Sequence, residues 1–181
     1  MTGQASFLIR DCPRLTEVRL HQVEPAPIDW YTFIGCPNLK TVKVADDLHI
    51  QEFHVRECIN FDTLPPLKVE ELRINSCPKI TEIPEYVEIS LDLVIFGTTG
   101  LNLLKLVGRP GLRDLNYYIT PQSASSPSGE KHVEAITSAH RAVQDGKIRR
   151  SQALMKLQDT LFDMGLGNLA TTKRKKRVDT K

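Results

Sequence analysis

Val69-Glu-Glu-Leu-Arg-Ile-Asn-Ser-Cys-Pro-Lys-Ile-Thr-Glu-Ile-Pro84 sets apolar residues at Val69, Leu72, Ile74, Ile80 and Ile83 around Cys77. Leu72 and Ile74 flank one variable residue, the alternation of a half-buried strand. Pro78 follows the cysteine and fixes φ where the chain turns out of that strand. A unit this short cannot bury its own apolar side, so it needs neighbours of the same kind.

The neighbours are there. Cys12, Cys36, Cys58 and Cys77 stand 24, 22 and 19 residues apart, and Thr98 follows 21 residues later. Five residues before these anchors stand Phe7, Tyr31, Phe53, Leu72 and Leu93; three before stand Ile9, Phe33, Val55, Ile74 and Ile95. Three after stand Leu15, Leu39, Phe61, Ile80 and Leu101; six after stand Val18, Val42, Leu64, Ile83 and Leu104. All twenty positions are apolar, although only 40% of the chain is. A leading apolar position recurs at Ile28, Ile50 and Val69 and fails at Gln4 and Ser90. Self-similarity at a fixed short period is the mark of a solenoid.

The unit resembles the leucine-rich-repeat signature, LxxLxLxx(N/C)xL. Its short period and its Leu64-Pro65 and Ile83-Pro84 endings are most similar to bacterial-type repeats. The resemblance covers roughly residues 4–108, with a degenerate last turn at Leu112 to Ile119. It implies a leucine-rich-repeat solenoid: a short parallel β-sheet of about five turns with a mostly irregular convex side. It also implies a concave face on which the variable strand positions carry recognition.

Those positions can be assigned repeat by repeat. The first of each set gives an acidic column, Glu52, Glu71 and Asp92. The interior columns bring His54, Arg56 and Arg73 together, flanked by Trp30 and Ile34 on one side and by Val94 and Phe96 on the other. Aromatic residues and arginines between apolar neighbours have the composition of a protein-binding hot spot. A solvated face with Arg and Glu paired across strands is the competing expectation. These seven residues are the candidate partner-binding set.

The cysteines are expected to form a buried structural ladder, each a small side chain with a weak S–H donor. Neither a CxxC pair nor a histidine cluster points to a metal, and no residue set has catalytic spacing. Gly97-Thr-Thr-Gly100 lacks the Lys-Ser/Thr of a phosphate loop. The expectation is therefore a protein that is not an enzyme and needs no cofactor and no metal.

The net charge of +2 hides an asymmetry. Residues 1–120 carry 12 Lys/Arg and 16 Asp/Glu, whereas residues 121–181 carry 12 and 6. An acidic body with a basic end suggests parts with different jobs. Residues 121–129 are linker-like. Helical spacing then puts Val133, Ile136, His140 and Val143 on one helix, 130–144, and Leu154, Leu157, Leu161 and Met164 on a second, 148–164. Asp145-Gly146 breaks them into a hairpin, and Gly165 stops the second. Either the hairpin caps the solenoid or it seeks a partner. The domains expected are thus 1–120, 121–129, 130–165 and 166–181. The last is a flexible basic tail whose Lys173, Arg174, Lys175, Lys176 and Arg177 can contact nucleic acid phosphates.

No apolar run approaches the roughly 18 residues that span a bilayer. Met1–Arg10 lacks a basic segment followed by a long apolar stretch, so no signal peptide is expected. A cytoplasmic setting follows, or a nuclear one in a eukaryotic cell, with no membrane partner and with reduced cysteines. The first repeat starts close to Met1, so an uncapped first strand is expected, its edge open to a partner or a second copy. The leading functional expectation is an adaptor that grips another protein on the concave face. The alternatives are a structural subunit of a viral or nucleoprotein assembly, with the tail on nucleic acid, and a bacterial effector acting on a host protein.

Overall fold

The computed structural model describes residues 5–21, 28–45, 48, 50–97, 101–118 and 127–163. Eight strands precede two helices. They are β1 (Ala5–Arg10), β2 (Glu17–Leu20), β3 (Ile28–Ile34), β4 (Thr41–Val44), β5 (Ile50–Arg56), β6 (Leu67–Asn75), β7 (Val87–Phe96) and β8 (Asp114–Tyr118). The helices are α1 (Pro127–Gln144) and α2 (Arg150–Asp163), and a 3-10 helix occupies Leu103–Leu106. Six strands form one parallel sheet in the order β1-β3-β5-β6-β7-β8. Successive strands are joined by one turn each, which makes a solenoid of about five turns. β2 and β4 form a second, two-stranded parallel sheet on the return path of the first turns. In later turns the return path carries only the 3-10 helix.

The register follows the repeat. Phe7, Tyr31, Phe53, Leu72, Leu93 and Leu115 lie side by side across the sheet, as do Ile9, Phe33, Val55, Ile74 and Ile95. Of the twenty expected core positions all are buried but Phe7, Ile9, Leu15 and Leu104, which are half-buried against the same core. Aromatic rings stack between turns, Phe7 on Tyr31 at 5.8 Å and Phe33 on Phe53 at 5.6 Å. The leading column departs from expectation at both ends. A register shift between Val69 and Glu71 puts Ile89, not Ser90, opposite Val69, and Ile89 is buried. A second shift puts Ala5 opposite Ile28. An extra residue in one strand reverses which neighbour faces inward, and a fixed offset cannot follow it.

Five of the six strands of the large sheet, β1, β3, β5, β6 and β7, are followed by a residue in the left-handed region: Asp11 (φ 53°), Gly35 (61°), Glu57 (55°), Ser76 (52°) and Gly97 (60°). This conformation swings the chain out of the sheet and points the backbone N–H at the next strand. Asp11 donates to Ile34 O at 2.9 Å, Gly35 to Arg56 O at 3.0 Å, Glu57 to Asn75 O at 2.9 Å and Ser76 to Phe96 O at 2.8 Å. The cysteines follow as expected. Cys36, Cys58 and Cys77 are fully buried, and Cys12, in the first turn, is half-buried. Their thiols lie 3.3–3.5 Å from the carbonyls of Arg10, Ile34, Arg56 and Asn75, two residues back. Cys58 and Cys77 also reach the preceding turn, at Phe33 O (3.8 Å) and Val55 O (3.7 Å). Two residues past the anchor runs a second ladder. There Asn38 donates to Pro13 O at 2.7 Å and Asn60 to Pro37 O at 2.8 Å.

The hairpin docks on the last turns. α1 begins at Pro127, three residues before the expected start; proline suits the first helical position. It ends in a Schellman motif, with Gly146 (φ 69°) donating to Val143 O and Lys147 to Ala142 O, both at 3.0 Å. Gln152 accepts from the Arg149 backbone N–H at 3.0 Å and so caps the start of α2. Ile136, His140, Ala153 and Leu157 are buried in the common core. Gly108 N–H lies 3.1 Å from His140 Nδ1, and Arg150 donates to Val107 O at 2.8 Å and Lys105 O at 2.9 Å. These bonds satisfy loop groups that would otherwise end the solenoid without partners.

Candidate binding face of the sheet

Strand alternation that buries Phe7, Tyr31 and their column turns the intervening residues outward. The register then sorts these into three columns. The first runs Ser6, Trp30, Glu52, Glu71, Asp92 and Asp114; the second Leu8, Thr32, His54, Arg73, Val94 and Asn116; the third Arg10, Ile34, Arg56, Asn75, Phe96 and Tyr118. Neighbours in a column stand about 4.8 Å apart. All seven candidate residues, Trp30, Ile34, His54, Arg56, Arg73, Val94 and Phe96, thus fall on one face.

Arg73 is the centre of its charge network. It bonds Glu71 at 2.6 Å and lies 3.4 Å from Glu52, and the Glu71 bond raises its pKa. Arg56 turns away to Glu57, at 2.8 Å. Burial, then the Arg73 and Arg56 charges, holds His54 below the usual imidazole range, so the ring is neutral at pH 7. Burial pushes the Glu52 carboxyl up against the pull of Arg73. Asp92 is pushed up by burial and by the Asp114 and Glu71 carboxylates beside it. Like charges in direct cross-strand opposition are destabilising. In the column Glu71–Asp92–Asp114 the outer two carboxylates are paired with arginines, Glu71 with Arg73 at 2.6 Å and Asp114 with Arg113 at 3.2 Å, and Asp92 lies between them.

Apolar groups border the charged centre. Trp30 and Phe96 are each 38% exposed, and Leu8 in the first strand is 55% exposed. Asp114 and Leu8 complete the face beyond the seven residues read from sequence. The signal for Asp114 was Leu115, five residues before no anchor yet in line with Leu93. Without a cysteine or threonine after it, that last turn had no landmark.

A groove of about 1230 Å³ opens elsewhere, lined by residues of the Ile83–Ser90 and Arg109–Gly111 segments. Three of its cations, Lys105, Arg109 and Arg150, are engaged. Arg109 donates to Ile83 O (2.9 Å), Pro84 O (2.6 Å) and Val87 O (2.5 Å), and Lys105 pairs with Glu82 at 2.7 Å. It is a braced joint between turns. Among the described residues no group of His, Cys, Asp and Glu could hold a metal ion, and no helix is long and apolar enough to cross a membrane. Lys173 to Arg177 lie outside the described residues. Comparison with known protein families, curated proteins and solved structures finds no match.

Proposed function

We propose that this chain is a binding module of leucine-rich-repeat type, which grips another protein on the outward face of its six-stranded sheet. One observation carries this reading: Trp30, 38% exposed, stands in register beside Glu52, one strand from His54 and two from Arg73. Aromatic and arginine side chains at adjoining rigid positions are the composition of interface anchors. Burial of the exposed Trp30 surface by a partner adds about 25 cal/mol per Å² covered. The strands hold the anchors in place before the partner arrives, which limits the entropy lost on binding.

Binding, not catalysis, fits the chemistry of the face. Arg73 is committed to Glu71 and Glu52, and Arg56 to Glu57. His54 is neutral and has Arg73, Arg56 and the arginine-paired Glu71 for charged neighbours.

The test is affinity purification from the native source with wild type, Trp30→Ala and Arg56→Glu as baits. Both side chains are exposed, so circular dichroism should match wild type. A specific protein recovered with wild type and lost with either variant supports the proposal. Equal recovery on all three baits overturns it.

A further inference from the structure

Three successive junctions in the sheet repeat the same rung. The carbonyls of Ile34, Arg56 and Asn75 each take a thiol from their own turn and a backbone N–H from the strand before. Arg10 O takes the Cys12 thiol at 3.3 Å, and among the described residues no strand precedes β1 to supply the second donor. Asp11 N–H points inward, to Ile34 O. Backbone groups of alternate residues point to opposite sides of a strand. Ser6, Leu8 and Arg10 therefore direct theirs to the outer edge of β1.

Among the described residues, the outer edge of β1 carries one charge, Arg10 at its end, and no proline or covering element. Edge strands are commonly blunted by charge, proline or a covering element. Ala5 to Ile9 contains no charge and no proline. Leu8 is 55% exposed, and Phe7, Ile9 and Leu15 are the half-buried members of columns that are otherwise buried up to the last turn. The opposite end of the solenoid is covered by α1 and α2.

We propose that β1 pairs antiparallel with β1 of a second copy, about a two-fold axis at Leu8. The strand complements itself in this register. Ser6 meets Arg10 of the second copy, Leu8 meets Leu8, and each pair exchanges both backbone bonds. Phe7 meets Ile9 on the core side, so apolar residues face apolar ones. No like charges oppose each other. Because the helices cover the other end, copies cannot stack head to tail, and the assembly closes as a dimer. The axis is perpendicular to the sheet, so the two binding faces lie side by side on one surface. The pairing itself does not depend on what those faces bind.

Sedimentation of the full chain at high micromolar concentration tests this, with Leu8→Lys, Leu8→Asp and Leu8→Pro. Leu8 is exposed and its N–H points outward, so all three should retain the wild-type circular dichroism. Wild type should sediment as a dimer. Each variant should shift the monomer–dimer midpoint about tenfold or more to higher concentration. Mixing Leu8→Lys with Leu8→Asp should restore a dimer, because the opposed charges then meet at the axis. Trp30→Ala should leave the dimer intact, which separates this proposal from that for the face. A monomeric wild type, an open-ended oligomer, a dimer indifferent to all three variants, or a Lys/Asp mixture that stays monomeric overturns it.

Discussion

Asp11 Oδ1 lies 2.5 Å from where a Cβ on Gly35 would stand. The glycine is therefore fixed twice, by its φ of 61° and by the aspartate of the preceding turn. Gly35→Ala adds a left-handed penalty of about 1–2 kcal/mol to a steric clash. Asp11→Ala removes the clash and puts an alanine at a φ of 53°, where aspartate is better tolerated. Urea unfolding of the two single variants and the double should give a non-additive cycle, the double variant losing less than the sum. Additive losses would show that the aspartate does not press on this site.

Glu57 and Ser76 hold the same left-handed conformation without being glycine. Ser76→Gly should stabilise by up to about 1 kcal/mol, less the extra freedom glycine gives the unfolded chain. A fall in the denaturation midpoint would mean that the Ser76 hydroxyl bond to Asn75, 2.9 Å in length, outweighs the backbone strain.

The cysteine ladder should be chemically inert. Burial pushes the thiol of Cys58 up to about 11 and that of Cys77 to about 12. Near pH 8 about one Cys58 in a thousand is the reactive thiolate. Titration with a disulfide reagent should find one accessible thiol, the half-buried Cys12, and release the other three only on unfolding. Four thiols reacting at one rate in the folded protein would contradict the ladder.

Acid should weaken the fold through His54 and His140. Burial lowers both pKa values below 6.5, so between the folded value and 6.5 the unfolded chain binds more protons. Their contribution is complete above about pH 6.5 and is lost as pH falls through the folded values. The slope is at most about 1.4 kcal/mol per pH unit for each histidine. Glu52 and Asp92, shifted up, act with the opposite sign and favour the fold at low pH. Denaturation midpoints between pH 7 and pH 5 should fall for wild type and fall less for His54→Gln. A flat profile in wild type would refute this.

Arg109 braces three carbonyls at once, of Ile83, Pro84 and Val87. A lysine keeps the charge but cannot present the planar fork. Arg109→Lys should therefore lower stability by about 1–3 kcal/mol, close to the loss for Arg109→Ala. Wild-type stability for the lysine variant would mean that charge alone matters there.

The solenoid was legible because its information is periodic. A column of one residue type at fixed offsets, such as Tyr31, Phe53, Leu72 and Leu93, announces a stacked core directly. What escaped was whatever broke the period. The bulge that promotes Ile89 over Ser90 is a backbone event with no residue signature. β8 lacks an anchor, so Asp114 went unassigned. The docking of the hairpin depends on His140 and Arg150 meeting Gly108, Val107 and Lys105, contacts between segments about forty residues apart that no local pattern encodes. The face could be sorted into columns from sequence, but not the fact that Arg56 turns aside to Glu57.

The half-buried first turn gives the molecule a direction of unravelling. In a stacked array each turn is stabilised by its own packing and by its immediate neighbours. Among the described residues of one copy, Phe7, Ile9 and Leu15 have a neighbouring turn on one side, whereas the last turns pack against α1 and α2. In the monomer, amide hydrogens should therefore exchange soonest in Phe7–Leu20 and latest around Leu72–Ile95. Partial opening should run from the N-terminal turn inward, so that brief fraying there leaves the central columns folded.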